Sequence, residues 1–195
     1  MPYYNTPMTK LEAVNVALRG LGQEEATSLD DNWPDVQQAS KLIDDLTRQL
    51  QIRGWHWNTD ENKLMTPDNN GEIILPNNTI SIDTSSYDRW LNVKQRGTKL
   101  YNAETNSYVF DRPVRLDLVL LFNFTDMPLV AKDYVATMAA VQLQQNMLGA
   151  DNVDKYLKER LVQCSVLLRQ DENRRADRNT LTDNWHTYSI LGGRR

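Results

Sequence analysis

Pairs of adjacent carboxylates, four of which we consider, are the residues whose types and spacing come closest to catalytic chemistry. They are Asp30-Asp31, Asp44-Asp45, Asp60-Glu61 and Asp171-Glu172. Glycosidases hold two carboxyl groups across a sugar cleft, about 5 or 7–9 Å apart. Neighbouring residues of a helix point apart, so Asp44-Asp45 is a poor pair. Hydrolysis is conceivable only around Asp60-Glu61 and Asp68, in a segment that we predict to be a loop, and we expect these pairs to be mostly solvated surface.

The other reactive groups lack the partners that their chemistry requires. His56 has no Ser, Cys or carboxylate at catalytic spacing, so we predict it to be the outward-facing residue of an anchoring strand. Cys164 falls on a helical apolar stripe, which favours a small core residue over a nucleophile. One cysteine and two histidines cannot form a zinc site without carboxylates, and the glycines have no phosphate-binding spacing. We therefore predict no catalytic residue, no cofactor and no metal.

Composition indicates a globular protein that is not a polyanion binder. Hydrophobic residues make up 40% of the chain, and the net charge is −4. The longest apolar run, Leu116–Phe124, has the length of a strand and not of a membrane span. The residues Met1–Tyr4 lack the features of a signal peptide. We expect a soluble protein made in a reducing cytoplasm.

Hydrophobic periodicity predicts two helices at each end of the chain. The first begins after Thr9, which has with Glu12 the spacing of a capping box. The second begins at Pro34 and is stopped by Gly54. The third is rich in alanine, and Asp151 is the predicted cap of the fourth. The predicted spans are 10–19, 34–53, 128–149 and 152–178.

Between the helix pairs the period changes to two, which predicts strands. Trp55 and Trp57 would then point to the same side of an extended segment. The predicted strands include 80–82, 90–93 and 114–120, with a turn at 95–98. The predicted fold class is α+β: a four-helix bundle (two N-terminal and two C-terminal helices) with an inserted antiparallel β domain of hairpins. The bundle would comprise 1–54 and 125–178, the β domain 55–124, and an extended C-terminal tail 179–195.

Two features near the C-terminus indicate a binding surface. The fourth helix ends in a basic cluster interrupted by acids, which is either a solvated face with internal ion pairs or a docking surface for an acidic partner. The tail then keeps apolar and aromatic side chains, which isolated tails seldom do unless they bury against something. The residues concerned are Arg169, Arg174, Arg175, Arg178, Trp185, Tyr188, Ile190 and Leu191.

Several segments in order resemble one protein family. They are Gln51-Ile52-Arg53-Gly54-Trp55, Gly97-Thr98-Lys99-Leu100-Tyr101-Asn102, Leu118-Val119-Leu120-Leu121-Phe122, Asp126-Met127-Pro128 and Gly149-Ala150-Asp151. Together they resemble the tail tubular protein A family, the head-to-tail adaptor (gatekeeper) proteins of short-tailed bacteriophages of the podovirus type. No single segment is diagnostic, and the C-terminal tail departs most from the family.

The resemblance implies a non-enzymatic structural virion protein located in the tail and synthesised in the host bacterial cytoplasm. Such adaptors form a ring, with twelve copies expected, that links the portal protein to the nozzle protein (tail tubular protein B). The ring continues the DNA channel, supports tail-fibre attachment and serves genome ejection. DNA would pass through the lumen without specific binding, and no membrane is involved.

The resemblance also assigns expected contacts. The fourth helix and residues 179–195, including the basic and apolar residues named above, would meet the portal. Tyr101 and Tyr108 would meet the nozzle or the fibres, and Gly54, Trp55 and Trp57 would be structural.

Two rival functions stay open at the level of sequence. One is a tail-associated hydrolase of cell-envelope polysaccharide, which needs an aromatic-lined cleft with two carboxyl groups. The other is a small nucleic-acid-binding module, for which salt-dependent retention on DNA would be expected.

Overall fold

The computed structural model describes residues 7–30, 33–147 and 151–183, without the side chains of 151–154 and 175–183. Over these ranges the fold is α+β with antiparallel strands, as predicted. The elements in chain order are α1 (Lys10–Gly20), α2 (Pro34–Gln51), β1 (Thr59–Met65), β2 (Thr79–Thr84), β3 (Val93–Arg96), β4 (Lys99–Asn102), β5 (Val114–Leu120), a 3-10 turn (Phe124–Asp126), α3 (Leu129–Met147) and α4 (Asp151–Asp183). None of the described helices is long and apolar enough to cross a membrane.

The chain divides into two compact units. Unit 1 comprises residues 1–47 and 124–195 and contains α1, most of α2, α3 and α4. Unit 2 comprises residues 48–123, which begin in the last turn of α2 and include all five strands.

Helix α1 of unit 1 is defined at both ends by its own sequence. Thr9 and Glu12 form the predicted capping box, in which each side chain bonds the backbone N–H of the other. At the other end, Gly22 adopts a φ of +72°, and the N–H groups of Gly22 and Gln23 donate to the carbonyls of Arg19 and Leu18. This is a Schellman arrangement, which satisfies the last carbonyls of the helix.

Helix α3 forms the centre of unit 1 because small residues let its neighbours approach. It packs against both α1 and α4. Ala136, Ala139 and Ala140 are fully buried. A Cβ at Gly20 of α1 would lie 3.1 Å from Ala140 Cβ and 3.4 Å from Leu157 Cδ1, so a larger residue would push the helices apart. The predicted four-helix bundle, as a specific arrangement, stays a prediction.

The larger sheet of unit 2 is organised around β5, which pairs antiparallel with β1 on one side and β2 on the other. Side chains of β5 alternate between buried and half-buried, as its period of two predicted. Its buried side chains join residues of the neighbouring segments in one core: Ile73, Leu75, Leu91, Leu100, Phe110, Val114, Leu116, Leu118 and Leu120.

The second sheet of unit 2 is the hairpin of β3 and β4. Arg96 pairs with Lys99, so the loop consists of Gly97 and Thr98 alone. Gly97 has a φ of +62°, which two-residue hairpin loops require and glycine adopts without steric cost. The predicted strand at 90–93 is wrong, because the chain turns at Arg89-Trp90 and the strand begins only at Val93.

The segment Trp55–Asn58 is a turn, so the predicted extended strand with two parallel tryptophans is wrong. The N–H of Asn58 donates to the carbonyl of Trp55, and β1 begins only at Thr59. His56 is therefore a turn residue and not the outward-facing residue of a strand.

Three further boundaries differ from prediction. Asp60-Glu61 lies on β1 and not in a loop, because this segment pairs with β5 around a bulge between Asp60 and Lys63. Helix α2 ends at Gln51, two residues before the predicted Arg53. Helix α4 begins at Asp151 itself, its predicted cap, and continues past the predicted end at Arg178 to Asp183.

Candidate functional site

The carboxylates that sequence reasoning weighed for hydrolysis have structural partners. Asp60 pairs with Lys63 at 2.6 Å. Asp68 accepts the backbone N–H groups of Asn70 and Glu72 at 2.8 and 2.9 Å, which closes a turn. Asp44 pairs with Lys10 at 2.8 Å, which ties α2 to α1. Within the described ranges no group of three His, Cys, Asp or Glu side chains could hold a metal ion.

One concave surface in unit 2 does combine an aromatic ring with two acidic side chains. It has a volume of about 510 Å³, and Trp90, Glu104, Asp111 and Arg112 are among its lining residues. Glu104 and Asp111 are both exposed, whereas a catalytic acid is usually held in an apolar enclosure. The cleft therefore lacks the environment of a glycosidase centre.

Cys164 lies where the helical stripe predicted it, buried in unit 1. Its Sγ lies 3.6 Å from Thr137 Oγ1 and donates to Asp133 Oδ2 at 3.3 Å. Burial raises the pKa of the thiol, and the thiolate is the nucleophilic form. Cys164 is therefore suited to packing and not to catalysis.

The residues expected to be structural around Gly54 belong to a buried hydrogen-bonded cluster. Gly54 has a φ of +72°, and a Cβ there would lie 3.0 Å from Val119 Cγ2. The Trp55 indole N–H donates to the carbonyl of Leu50 at 2.7 Å. Trp57 is half-buried, and its indole nitrogen is buried without a hydrogen-bond partner in the described structure.

Two buried amides that sequence reasoning missed complete this cluster. The Gln51 side chain donates to the carbonyl of Phe122 at 2.9 Å and accepts its N–H at 2.7 Å. The Asn58 side chain accepts from Trp55 N and donates to the carbonyls of Gln51 and Leu120. These bonds fasten the end of α2 to the end of β5. The only sign of these bonds in the sequence is that the turn after α2 ends in an asparagine, Asn58.

Tyr101 and Tyr108, the predicted nozzle or fibre contacts, pack together beneath an arginine. Their ring centroids lie 5.1 Å apart in an edge-to-face arrangement, and the Arg96 guanidinium lies 3.5 Å from the centroid of Tyr101. A hydrogen bond to Tyr108 raises the pKa of Arg96. Tyr101 is buried and Tyr108 is half-buried, so Arg96 is the most exposed side chain of this cluster.

A second aromatic pair, Tyr87 and Trp90, is far more exposed, at 71% and 62%. The guanidinium groups of Arg115 and Arg112 lie 5.5 and 4.7 Å from their respective ring centroids. Tryptophan, tyrosine and arginine are the residues most enriched at the energetic centres of protein interfaces. Sequence reasoning missed this pair because it assigned Trp90 to a strand.

The buried carboxylate of Asp88 holds that turn in place. It accepts the backbone N–H of Arg115 at 2.7 Å and bonds the Arg112 guanidinium at 2.8 Å. The N–H of Arg115, followed by the Arg112 side chain, lowers the pKa of Asp88. The exposed rings therefore stand on a fixed turn and not on a flexible loop.

The predicted portal-facing residues are described only in part. Arg169 and Arg174 are exposed on α4. The side chains of Arg175 and Arg178 lie outside the described structure, as do residues Trp185, Tyr188, Ile190 and Leu191. Four exposed apolar residues precede the arginines in the described part of the same helix. They are Tyr156, Val162, Val166 and Leu167.

Comparison with known proteins assigns this architecture to phage tails. The sequence profile of a family described as tail tubular protein matches residues 11–178. The chain is 30% identical over 164 residues to tail tubular protein A of Klebsiella phage KP34. That alignment covers 84% of this chain and 87% of the relative.

Proposed function

Since the chain belongs to the tail tubular protein family and is a structural component of a bacteriophage tail, we propose that it is the head-to-tail adaptor. Copies of the chain would form a ring, with twelve copies expected, between the portal protein and the nozzle protein. The ring would continue the DNA channel without binding DNA specifically, support tail-fibre attachment and take part in genome ejection. In this role the protein is not an enzyme.

One observation of the structure supports an assembly role above all: the described part of α4 exposes four large apolar side chains among its charged and polar ones. Tyr156 is 74% exposed, and Val162 and Leu167 are 62% and 52% exposed. Single exposed apolar side chains are ordinary on protein surfaces, whereas several large ones on one helix favour a contact with another protein. Arg169 and Arg174 follow on the same helix, and arginine with a large apolar side chain is a frequent combination in such contacts.

We assign the portal contact to α4 and the residues that follow it. This includes Arg175, Arg178, Trp185, Tyr188, Ile190 and Leu191, together with the described arginines. We assign the nozzle or fibre contact to unit 2, where Arg96 above Tyr101 and Tyr108 offers a cationic surface. Because Tyr101 is buried, it would act by supporting Arg96 and not by direct contact.

Co-purification with the portal protein of the same phage tests the assignment. Arg169→Glu and Arg174→Glu should each reduce the amount retained on immobilised portal. Lys41→Glu makes the same change of charge at an exposed position of α2 and should be retained like the unmodified chain. If the unmodified chain fails to bind the portal at any ratio, the adaptor role is wrong. If both arginine variants bind normally, only the assignment to α4 is wrong.

A second function, hydrolysis of cell-envelope polysaccharide, is favoured by one observation only, the cleft that contains Trp90, Glu104 and Asp111. A zymogram on host envelope polysaccharide decides between the two functions. Clearing that disappears in both Glu104→Gln and Asp111→Asn would establish hydrolysis. We expect no clearing, since both carboxylates are open to solvent.

A further inference from the structure

Opposite charges are concentrated in two separate segments of this chain. Residues 23–35 carry five acidic and no basic side chains, and residues 89–103 carry four basic and no acidic ones. The whole chain has a net charge of −4, so the charge of the basic segment is opposite in sign to that of the chain. The first segment belongs to unit 1 and the second to unit 2.

The basic segment presents its charges outward on a rigid support. Lys94 and Arg96 alternate with half-buried residues of β3, so both lie on the exposed face of the hairpin. Arg89 is exposed beside Trp90, on the turn fixed by Asp88. Within the described structure neither Arg89 nor Lys94 forms an ion pair. We call the surface of residues 89–94 the basic edge, and Arg96 beside it is the residue assigned above to the nozzle or fibre contact.

The described part of the acidic segment, residues 23–30 and 33–35, is also held in place. Asn15 of α1 bonds both the N–H and the carbonyl of Ala26, at 2.9 and 3.1 Å. The Gln23 side chain donates to Asp35 at 2.8 Å, which joins the two ends of the loop by a neutral donor. Of the described carboxylates, Glu24, Asp30 and Asp35 form no ion pair in the described structure, and Glu25 pairs with Arg19. We call the described residues 23–30 and 33–35 the acidic loop.

Each surface carries one exposed aromatic residue among its charges. Trp33 is 48% exposed in the acidic loop, and Trp90 is 62% exposed on the basic edge. The desolvated rings of such residues provide most of the energy of an interface, and complementary charges set its register and speed of association. The two surfaces therefore match in charge and in composition.

We propose that the acidic loop of one copy binds the basic edge of the next copy in the ring. The occupant of each surface is a second copy of this chain because the chain itself carries the complement. A ring needs a head-to-tail contact made by two different surfaces of the same subunit, and these two surfaces differ in the required way. This inference rests on the proposed adaptor function and specifies how its subunits associate.

Charge exchange tests the contact. Arg89→Glu with Lys94→Glu would place acids against the acidic loop, and Glu24→Lys with Asp30→Lys would place bases against the basic edge. The combination of all four substitutions restores opposite charges at every junction. Lys41→Glu with Lys63→Glu matches the first pair in net charge and lies outside both surfaces. Each protein is co-expressed with the portal, and the number of copies per portal is counted by native mass spectrometry over a range of salt concentrations.

Each double reversal should weaken ring completion by about tenfold or more at low salt, since like charges placed together in an interface cost several kcal/mol. The fourfold variant should recover full occupancy, and the control should resemble the unmodified chain. The effects should shrink at high salt, where exposed charges are screened.

Three results would overturn the proposal in distinguishable ways. Full occupancy of both reversals with unchanged salt dependence would show that these surfaces do not meet. Loss in the basic-edge reversal without recovery in the fourfold variant would show that the basic edge binds another acidic protein. Failure of the unmodified chain to form any ring on the portal would refute the adaptor function itself.

Discussion

Replacing Asn58 by alanine should destabilise unit 2 more than any single change at its surface. Asn58 is 1% exposed. Its side chain accepts from the N–H of Trp55 at 2.6 Å and donates to the carbonyls of Gln51 and Leu120 at 3.0 and 2.9 Å. Alanine removes all three bonds and supplies no replacement. The N–H of Trp55 then stays buried without its acceptor.

The expected cost follows from these three bonds. A net contribution of about 1 kcal/mol for each bond gives roughly 3 kcal/mol in the free energy of unfolding. For a domain of this size each kcal/mol corresponds to about 4–8 °C, so the melting temperature of unit 2 should fall by roughly 12–24 °C. The Trp55 side chain lies in the same cluster, where its indole N–H bonds the carbonyl of Leu50. Trp55 is one of five tryptophans in the chain, and its fluorescence contributes to the unfolding signal.

Urea unfolding, followed by tryptophan fluorescence and circular dichroism, measures the change. Asn69→Ala is the matched control, because Asn69 is exposed in the same unit and should change stability by less than about 0.5 kcal/mol. Equal effects of Asn58→Ala and Asn69→Ala would refute the reasoning. Such a result would mean that the buried amide does not fasten α2 to β5.

Asn58→Asp separates the acceptor from the donor. The aspartate can still accept from Trp55, but its charged form faces the two carbonyls that the amide nitrogen bonded. The folded state would therefore raise the pKa of this carboxyl above its unfolded value of about 3.9. A raised carboxyl pKa destabilises the fold as pH rises, so this variant should be more stable near pH 4 than near pH 7. Stability independent of pH between these values would contradict the assigned bonds.

Three other predictions concern single positions. Gly71→Ala should lower the free energy of unfolding, measured with urea, by about 2 kcal/mol, because φ is +77° and the new Cβ would lie 2.8 Å from Val109 Cγ1. Gly97→Ala should lower it by only about 1 kcal/mol, because a Cβ there meets open space. Burial lowers the pKa of Lys132, so stability should increase as pH rises from the folded pKa toward the unfolded value of about 10.4, and pH-dependent melting of Lys132→Met should lack this increase. Hydrogen bonds lower the pKa of Asp88, so its contribution is present above about pH 3.9 and lost as pH falls through the folded pKa. Acid unfolding of Asp88→Asn should lack that component.

The sequence predicted best those elements whose residue pattern is set by one local requirement, such as the burial of one face or the capping of a helix end. Strand β5 was predicted because one of its faces is buried, which imposes alternation over its whole length. Helix α1 was predicted to within one residue because Thr9 and Glu12 satisfy its first N–H groups and Gly22 its last carbonyls. Local sequence and tertiary structure agree at these places.

The failed predictions fall where a side chain competes with the backbone for hydrogen bonds. Alternating tryptophans at 55 and 57 indicate a strand, but the Asn58 amide bonds Trp55 N and closes a turn. Around Trp90, Asp88 similarly accepts the N–H of Arg115, far away in sequence. No local period reveals a partner that distant. For the same reason the exposed Tyr87 and Trp90 were not predicted as surface, although the charge imbalance of residues 23–35 and 89–103 is visible in the sequence.

Charge segregation explains how copies of this chain would associate head to tail and not in symmetric pairs. Two identical surfaces would join copies in pairs, and pairs cannot continue into a ring. An acidic loop and a basic edge on the same chain repel their own kind, so each junction forms in one direction only. Because these contacts are exposed and screened by salt, they should be weak between free subunits. A template that holds many copies close together would strengthen them by raising the effective concentration, and the proposed portal contact would supply such a template.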